Sequence, residues 1–90
     1  MEKFKMAAAL SYDPEKNNSP KVVASGRGHI AERIIKLAKE NDIPLFEDEE
    51  TAHMLLSVPV GVEIPPELYQ AVAEIYAIIL KVGYEASNKD

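Results

Sequence analysis

Cysteine and tryptophan are both absent from this chain of 90 residues. Without cysteine there are no disulfides, no thiolate metal ligands and no cysteine nucleophile, so the fold must rest on packing alone. A long apolar run is missing as well: the longest, Ile75 to Leu80, is six residues, against the roughly 20 that a membrane-spanning helix needs. The start of the chain, Met1-Glu2-Lys3-Phe4-Lys5, has neither the apolar segment nor the small-residue cleavage site of a secretory signal. A cytoplasmic protein without direct membrane insertion is expected. Positive charge is scarce in one half: residues 45–90 carry two basic and nine acidic side chains, a balance of -7, whereas residues 1–44 carry eight basic and six acidic. Phosphate backbones bind faces that release counterions, so a nucleic-acid partner is not expected. With 47% hydrophobic and 28% charged residues, and a mean hydropathy of -0.16, the chain suits one domain and is too short for two.

The pattern of side chains predicts a small mixed β-sheet flanked by three to four helices, an α/β domain. Along residues 6–12 an extended chain puts Met6, Ala8, Leu10 and Tyr12 on one face and the smaller Ala7, Ala9 and Ser11 on the other. Asp13-Pro14 initiates a turn, Asn17-Asn18-Ser19-Pro20 is loop chemistry, and Lys21-Val22-Val23-Ala24 reads as a second strand paired with the first. From Gly28 the period changes to that of a helix, with Ile30, Ala31, Ile34, Leu37 and Ala38 on its apolar face. Asn41 suits a left-handed residue after that helix, and Ile43-Pro44-Leu45-Phe46 reads as a short buried strand. Asp48 is placed to cap a short helix that buries Ala52, Leu55 and Leu56. Ile64-Pro65-Pro66-Glu67 opens the last helix, in which Leu68, Ala71, Val72, Ile75, Ile79 and Leu80 form the stripe and Gly83 is the stop. The expected organisation is an extension at 1–5, a domain at 6–82 and a tail at 83–90.

Few residues point to chemistry. Gly26-Arg27-Gly28 lies between a strand and a helix start, where backbone amides can hold phosphate, and a small-ligand or phosphate site over Gly26 to His29 is one alternative. It lacks the lysine of a P-loop and the third glycine of a dinucleotide fingerprint, so a tight turn is favoured. His29 and His53 are the only imidazoles, too few for the three ligands of a typical catalytic zinc. The run Glu47-Asp48-Glu49-Glu50 cannot converge on one point, and part of it serves to cap a helix. No serine has a motif marking it as a nucleophile. Neither a catalytic residue nor a metal or other cofactor is expected.

A set of motifs in order nonetheless resembles a known family. Tyr12-Asp13-Pro14, then Ser19 to Gly26, Ile30-Ala31-Glu32-Arg33-Ile34, Asn41-Asp42-Ile43-Pro44, and Ile64 to Glu74 are similar to the cytoplasmic C-terminal domain of the FlhB family. That family also includes the switch proteins of virulence secretion systems, and the flagellar branch is the nearer. The resemblance runs from residue 6 to about 82. It implies an α/β domain at the cytoplasmic face of the flagellar export gate that receives export substrates and switches their class. The implied partners are membrane-bound FlhB, export substrates and the hook-length control protein. A regulatory competitor of FlhB is a further alternative.

Two departures from the family shape the expectation. The membrane domain that precedes this part of FlhB has no counterpart here, so a stand-alone protein equivalent to the released fragment is expected. The family's self-cleaving Asn-Pro-Thr-His would fall at positions 2–5, which are Glu2, Lys3, Phe4 and Lys5. Glutamate has no amide nitrogen with which to attack a carbonyl. In the family a strand ahead of the cleavage site joins the sheet, so a free edge at Met6, Ala8 and Leu10 is expected to take a partner strand or to support self-association. Lys3 and Lys5 beside it are charges that discourage such pairing. By matching position, the family's apolar substrate-docking patch maps to Ser19, Pro20, Ala73 and Tyr76. Alanine is common in the family at the first of these and leucine at the last, so the patch here is more polar.

Overall fold

The computed structural model describes residues 5–87, with side chains described through Lys81. The expected extension, apart from Lys5, and the last three tail residues lie outside the described residues. Strand β1 (Met6–Ser11) pairs antiparallel with β2 (Lys21–Arg27), and helices α1 (His29–Glu40), α2 (Glu49–Leu55) and α3 (Tyr69–Ser87) follow. The hairpin turn forms as its residues dictate: the Asp13 carbonyl accepts from the amides of Lys16 and Asn17 at 3.0 and 2.8 Å, and its carboxylate accepts from the Glu15 amide at 3.0 Å. Between Ala9 and Leu10 the register shifts, so that Ala9 opposes Ala24 while Leu10 opposes Val22. Val23 is the extra residue of this bulge and stays exposed.

The alternation of large and small side chains on β1 sorts the helices. Ala8 and Leu10 face a core of Val22, Leu55, Val58, Ile64, Leu68 and Val72, which draws α2 and α3 onto one side of the sheet. Ala7 and its partner Gly26 face α1, which buries Ala31 and Ala38. Small residues on this side let the helix approach closely. A Cβ at Gly26 would overlap the Ile30 side chain and lie 2.7 Å from its Cβ. Gly28, at φ 61 and ψ -127, makes the turn into α1, a backbone conformation that side chains oppose.

The remaining edge of β2 is met by a segment from the far half of the chain. After α2, Pro59 accepts from the Val62 amide at 3.2 Å in a turn that places Gly61 at φ 92. Val22 then donates to the Val62 carbonyl at 3.0 Å and accepts from the Gly61 amide at 2.7 Å, while Ile64 donates to Pro20 at 2.8 Å. Lys21 and Glu63 form a one-residue antiparallel bridge there.

Several expectations are corrected. Ile43 to Phe46 is not a strand: the segment is exposed and irregular, because among the described residues no strand lies beside it and Pro44 has no N–H to give. Asp42, at φ 57, takes the left-handed position after α1, and Asn41 instead donates its side-chain amide to the Leu37 carbonyl at 2.8 Å. The closing bonds, Ile43 to Ala38 and Asp42 to Lys39, follow the Schellman pattern. Ile30 and Leu37 are exposed, since the two strands cover only the alanine side of α1. Asp48 stands at the start of α2 as expected, but its carboxylate accepts the Thr51 hydroxyl at 2.7 Å rather than a backbone amide, and Thr51 is buried with Leu55. A short 3-10 turn, Pro66–Leu68, precedes α3, which runs through Gly83 to Ser87 and leaves Leu80 exposed.

The close approach of α1 makes Gly26 a sensitive position. Gly26→Ala is expected to destabilise the domain by about 1–3 kcal/mol, as overpacking does, and adding Ile30→Ala is expected to recover only part of that loss, because the Cβ of residue 30, 2.7 Å from the new methyl, remains. Urea denaturation followed by circular dichroism measures both.

Candidate functional site

Two surfaces hold the residues singled out above. The first is built where the loop before β2 meets the entry to α3. Ser19 is buried, 4% exposed, and its hydroxyl donates to Glu63 Oε1 at 3.0 Å, with the Ile64 carbonyl at 3.4 Å. The other carboxylate oxygen of Glu63 accepts from the Asn17 side-chain amide at 3.3 Å. Pro20 follows, half-buried, its carbonyl held by Ile64. Ile64 belongs to the core with Val72 of α3, and Tyr76 packs on that core one turn further along. Ala73 is exposed beside buried Val72. Ser19 and Pro20 are thus tied to Ile64 and Tyr76 packs on the core to which Ile64 belongs, whereas Ala73 stands exposed on the same helix as Tyr76.

Glu63 is a residue that the sequence reading missed. It ties the loop to the segment that enters α3, across 44 positions from Ser19, and no local pattern marks it. The single hydroxyl of Ser19 serves both a carboxylate and a backbone carbonyl, so a residue without that hydroxyl would leave the loop held by Asn17 and the Pro20 carbonyl alone. Burial raises the pKa of the Tyr76 phenol above its ordinary 10.0, because an apolar surrounding disfavours the phenolate.

The second surface is the outer edge of β1. Gly28 donates to the Lys5 carbonyl at 2.9 Å, and in the register observed this directs the backbone of Lys5, Ala7 and Ala9 toward β2. By alternation Met6, Ala8 and Leu10 direct their N–H and C=O groups outward. Among the described residues no strand lies on that side, since the sheet has two strands in the order β1-β2. Side chains of α2 approach near its start, where Met6, Glu49, Glu50, His53 and Met54 line an open depression. An edge of this kind leaves main-chain donors and acceptors without a strand partner among the described residues.

The residues considered for phosphate or metal chemistry are not brought together. His29 is fully exposed at the start of α1, 3.5 Å from the Glu32 carboxylate, and His53 lines the depression beside Met6 on α2. No group of three or more histidine or carboxylate side chains among the described residues is arranged to hold a metal ion.

Comparison with known proteins places this geometry. The model of the FlhB HrpN YscU SpaS family matches residues 4–79. YlqH of Bacillus subtilis is 40% identical over 86 residues, which is 96% of this chain and 92% of that protein. The flagellar biosynthetic protein FlhB of Aquifex aeolicus is 46% identical over 76 residues, 83% of this chain and 22% of that protein. FlhB of Escherichia coli is 43% identical over 72 residues, covering 79% of this chain and 19% of that protein. The chain therefore spans about a fifth of the length of these FlhB relatives. The crystal structure of the cytoplasmic domain of FlhB from Shewanella putrefaciens superposes with a TM-score of 0.89 at 25% identity, over 92% of this chain and 65% of that one. A point variant of the EscU C-terminal domain gives 0.80 at 31% identity, over 86% of this chain and 94% of that one.

Tyr76 carries a testable pH dependence. Its pKa is raised on folding, so its contribution to stability is complete below the unfolded value and is lost as pH rises through the folded value. Thermal melts above pH about 10 are expected to fall less steeply for Tyr76→Phe than for the unaltered chain, and a decline of equal slope would contradict the assignment.

Proposed function

The chain belongs to the FlhB HrpN YscU SpaS family, and on that premise we propose that it is a non-catalytic binding module of the flagellar type III export apparatus. Its role is that of the C-terminal part of FlhB after cleavage: docking export substrates or switching their class, in the cytoplasm at the face of the export gate. The observation that carries this reading is the superposition on the FlhB cytoplasmic domain over 92% of the chain. Identity of 46% to a flagellar FlhB favours the flagellar branch. At the positions of the family's self-cleaving motif stand Glu2-Lys3-Phe4-Lys5, and without an asparagine amide that chemistry has no nucleophile. The working unit is the domain at 6–82, with membrane-bound FlhB, export substrates and the hook-length control protein as its partners.

Two contact surfaces divide the work. The patch of Ser19, Pro20, Ala73 and Tyr76 receives the export substrate. Ser19 and Tyr76 make it more polar than alanine and leucine would, and its rigid base is the Glu63 tether. The β1 edge at Met6, Ala8 and Leu10 receives an extended strand, the stub that cleavage leaves on membrane-bound FlhB. Backbone groups of all three point outward there, which supports strand addition. The second reading is a regulatory competitor of FlhB, which would use the same two surfaces.

Expression in cells whose FlhB is truncated after its membrane domain separates these roles. Restored motility identifies replacement, whereas no restoration combined with impaired export in normal cells identifies competition. A chain without effect in either strain would refute both.

Binding measurements address the surfaces. Ala73→Asp, at an exposed position, is expected to weaken binding of a purified hook-class export substrate by about tenfold or more while leaving the fold intact. Unchanged binding would remove the patch. A peptide ending in Asn-Pro is expected to shift the amide resonances of Met6, Ala8 and Leu10 on titration. Absence of any shift at a peptide concentration of about 1 mM would remove the edge site.

A further inference from the structure

The outer edge of β1 and the flank of α1 beside it form one surface. Met6, Ala8 and Leu10 direct their main-chain groups to that edge, and among the described residues no strand lies there. On α1, Glu32, Ile35 and Lys39 succeed one another at three- and four-residue spacing and so share a flank. It is the flank on the β1 side, because Lys5, which enters β1, lines an open depression with Glu32, Ile35 and Lys39. Lys36 and Glu40 also line it and lie further round toward solvent. Strand and helix start level with each other, since Gly28 donates to the Lys5 carbonyl at 2.9 Å. Along the strand, Ala8 lies roughly 10 Å beyond Lys5; along the helix, Ile35 lies roughly 10 Å beyond Gly28. The middle of the edge is therefore beside the middle of the flank.

This surface complements itself about a two-fold axis through Ala8, perpendicular to the sheet. Antiparallel copies of β1 set Ala8 against Ala8 and Met6 against Leu10, so the outward N–H and C=O groups of all three meet partners, as in any antiparallel ladder. Parallel copies related by a two-fold axis would set each outward residue level with its own counterpart, whereas the slanted bonds of a parallel ladder join staggered residues. The perpendicular axis keeps both copies of α1 on one face of the joined sheet. Because α1 packs over both strands, the two helices lie about two strand spacings apart, roughly 10 Å, a distance at which helices pack. They run antiparallel with Ile35 close to the axis, which brings Glu32 of each copy to Lys39 of the other. On the opposite face α2 approaches β1 at its Met6 end, so the acidic Glu49 and Glu50 of the two copies stay at opposite ends of the joined strands.

We propose that the chain pairs with a second copy of itself edge to edge through β1, joining the two sheets into one with both copies of α1 side by side. The inference rests on the edge and the helix flank alone and goes beyond the proposed docking function, on which it bears in one respect. A second copy on the β1 edge and a strand captured there exclude each other. One strand of six residues and one helix flank make a small interface of the transient class. Dissociation is expected on the order of 100 µM.

Sedimentation equilibrium on the whole chain, from about 10 µM to about 1 mM, tests this. The mean mass is expected to climb toward two copies, and the amides of Met6, Ala8 and Leu10 to exchange about three- to fivefold more slowly at the upper concentration. Ala8→Pro removes an outward N–H that β2 does not use, a change that an edge strand tolerates, and is expected to raise the dissociation constant at least about tenfold. Lys39→Glu is expected to raise it about two- to fivefold, and the further change Glu32→Lys to restore it, because the pair joins each of these positions to the other on the second copy. This charge exchange leaves the strand untouched and decides the matter even where Ala8→Pro does not fold. A monomer throughout the range, a dimer indifferent to a folded Ala8→Pro variant, or failure of the charge exchange to restore association would each overturn the proposal. A monomer that takes up the peptide ending in Asn-Pro would overturn the pairing alone, whereas a dimer whose edge takes no such peptide even when diluted to monomer would support the pairing and remove strand capture.

Discussion

The structure depends on one pair of hydrogen bonds, those by which Val22 donates to the Val62 carbonyl and accepts from the Gly61 amide. Two strands alone make a marginal sheet in water. Val22 lies in the core shared by the sheet, α2 and α3, its side chain fully buried and its backbone turned away from β1. The turn at Pro59 to Val62 satisfies that backbone and in the same stroke carries the chain to Ile64 and into α3. Ser19, Pro20 and Glu63 are held by this junction as well. The proposed docking patch is therefore a by-product of how the edge of β2 is closed.

The hairpin, α1 and the division of β1 into a large-residue and a small-residue face were legible in the sequence, because each is set by neighbours within a few positions. Asp13-Pro14 makes its turn, and Ala7 with Gly26 makes room for α1 as the period suggests. What escaped depends on distant or absent partners. Ile43-Pro44-Leu45-Phe46 has the composition of a buried strand, but composition cannot supply a neighbouring strand. Asp42 rather than Asn41 takes the left-handed position, a choice between two adjacent residues that both tolerate it. The clasp at Gly61 to Ile64 has no signature beyond a proline and a glycine. For the candidate site the division is similar: Ser19, Pro20, Ala73 and Tyr76 came from resemblance to a family, and nothing in local sequence indicated that Glu63 would hold Ser19.

Helix α3 serves the core and also carries Ala73 and Tyr76 of the proposed docking patch. One side of it completes the core, and Tyr69, Ala73, Ala77 and Leu80 beside that side are exposed among the described residues. Tyr76, half-buried, packs on the core and forms part of the proposed patch.

The clasp also sets an order of assembly. Contacts of β1 with β2 and of both with α1 join residues close in sequence, so closing them costs little chain entropy. Val22 and Val62 are 40 residues apart, and the core that gathers Leu55, Leu68 and Val72 around Val22 can form only after that longer loop has closed. The hairpin and α1 thus constitute the early part of the folding reaction and α2 and α3 the late one. By the same reasoning the half formed by α2 and α3 is expected to open ahead of the hairpin, with its amides exchanging before those between the strands.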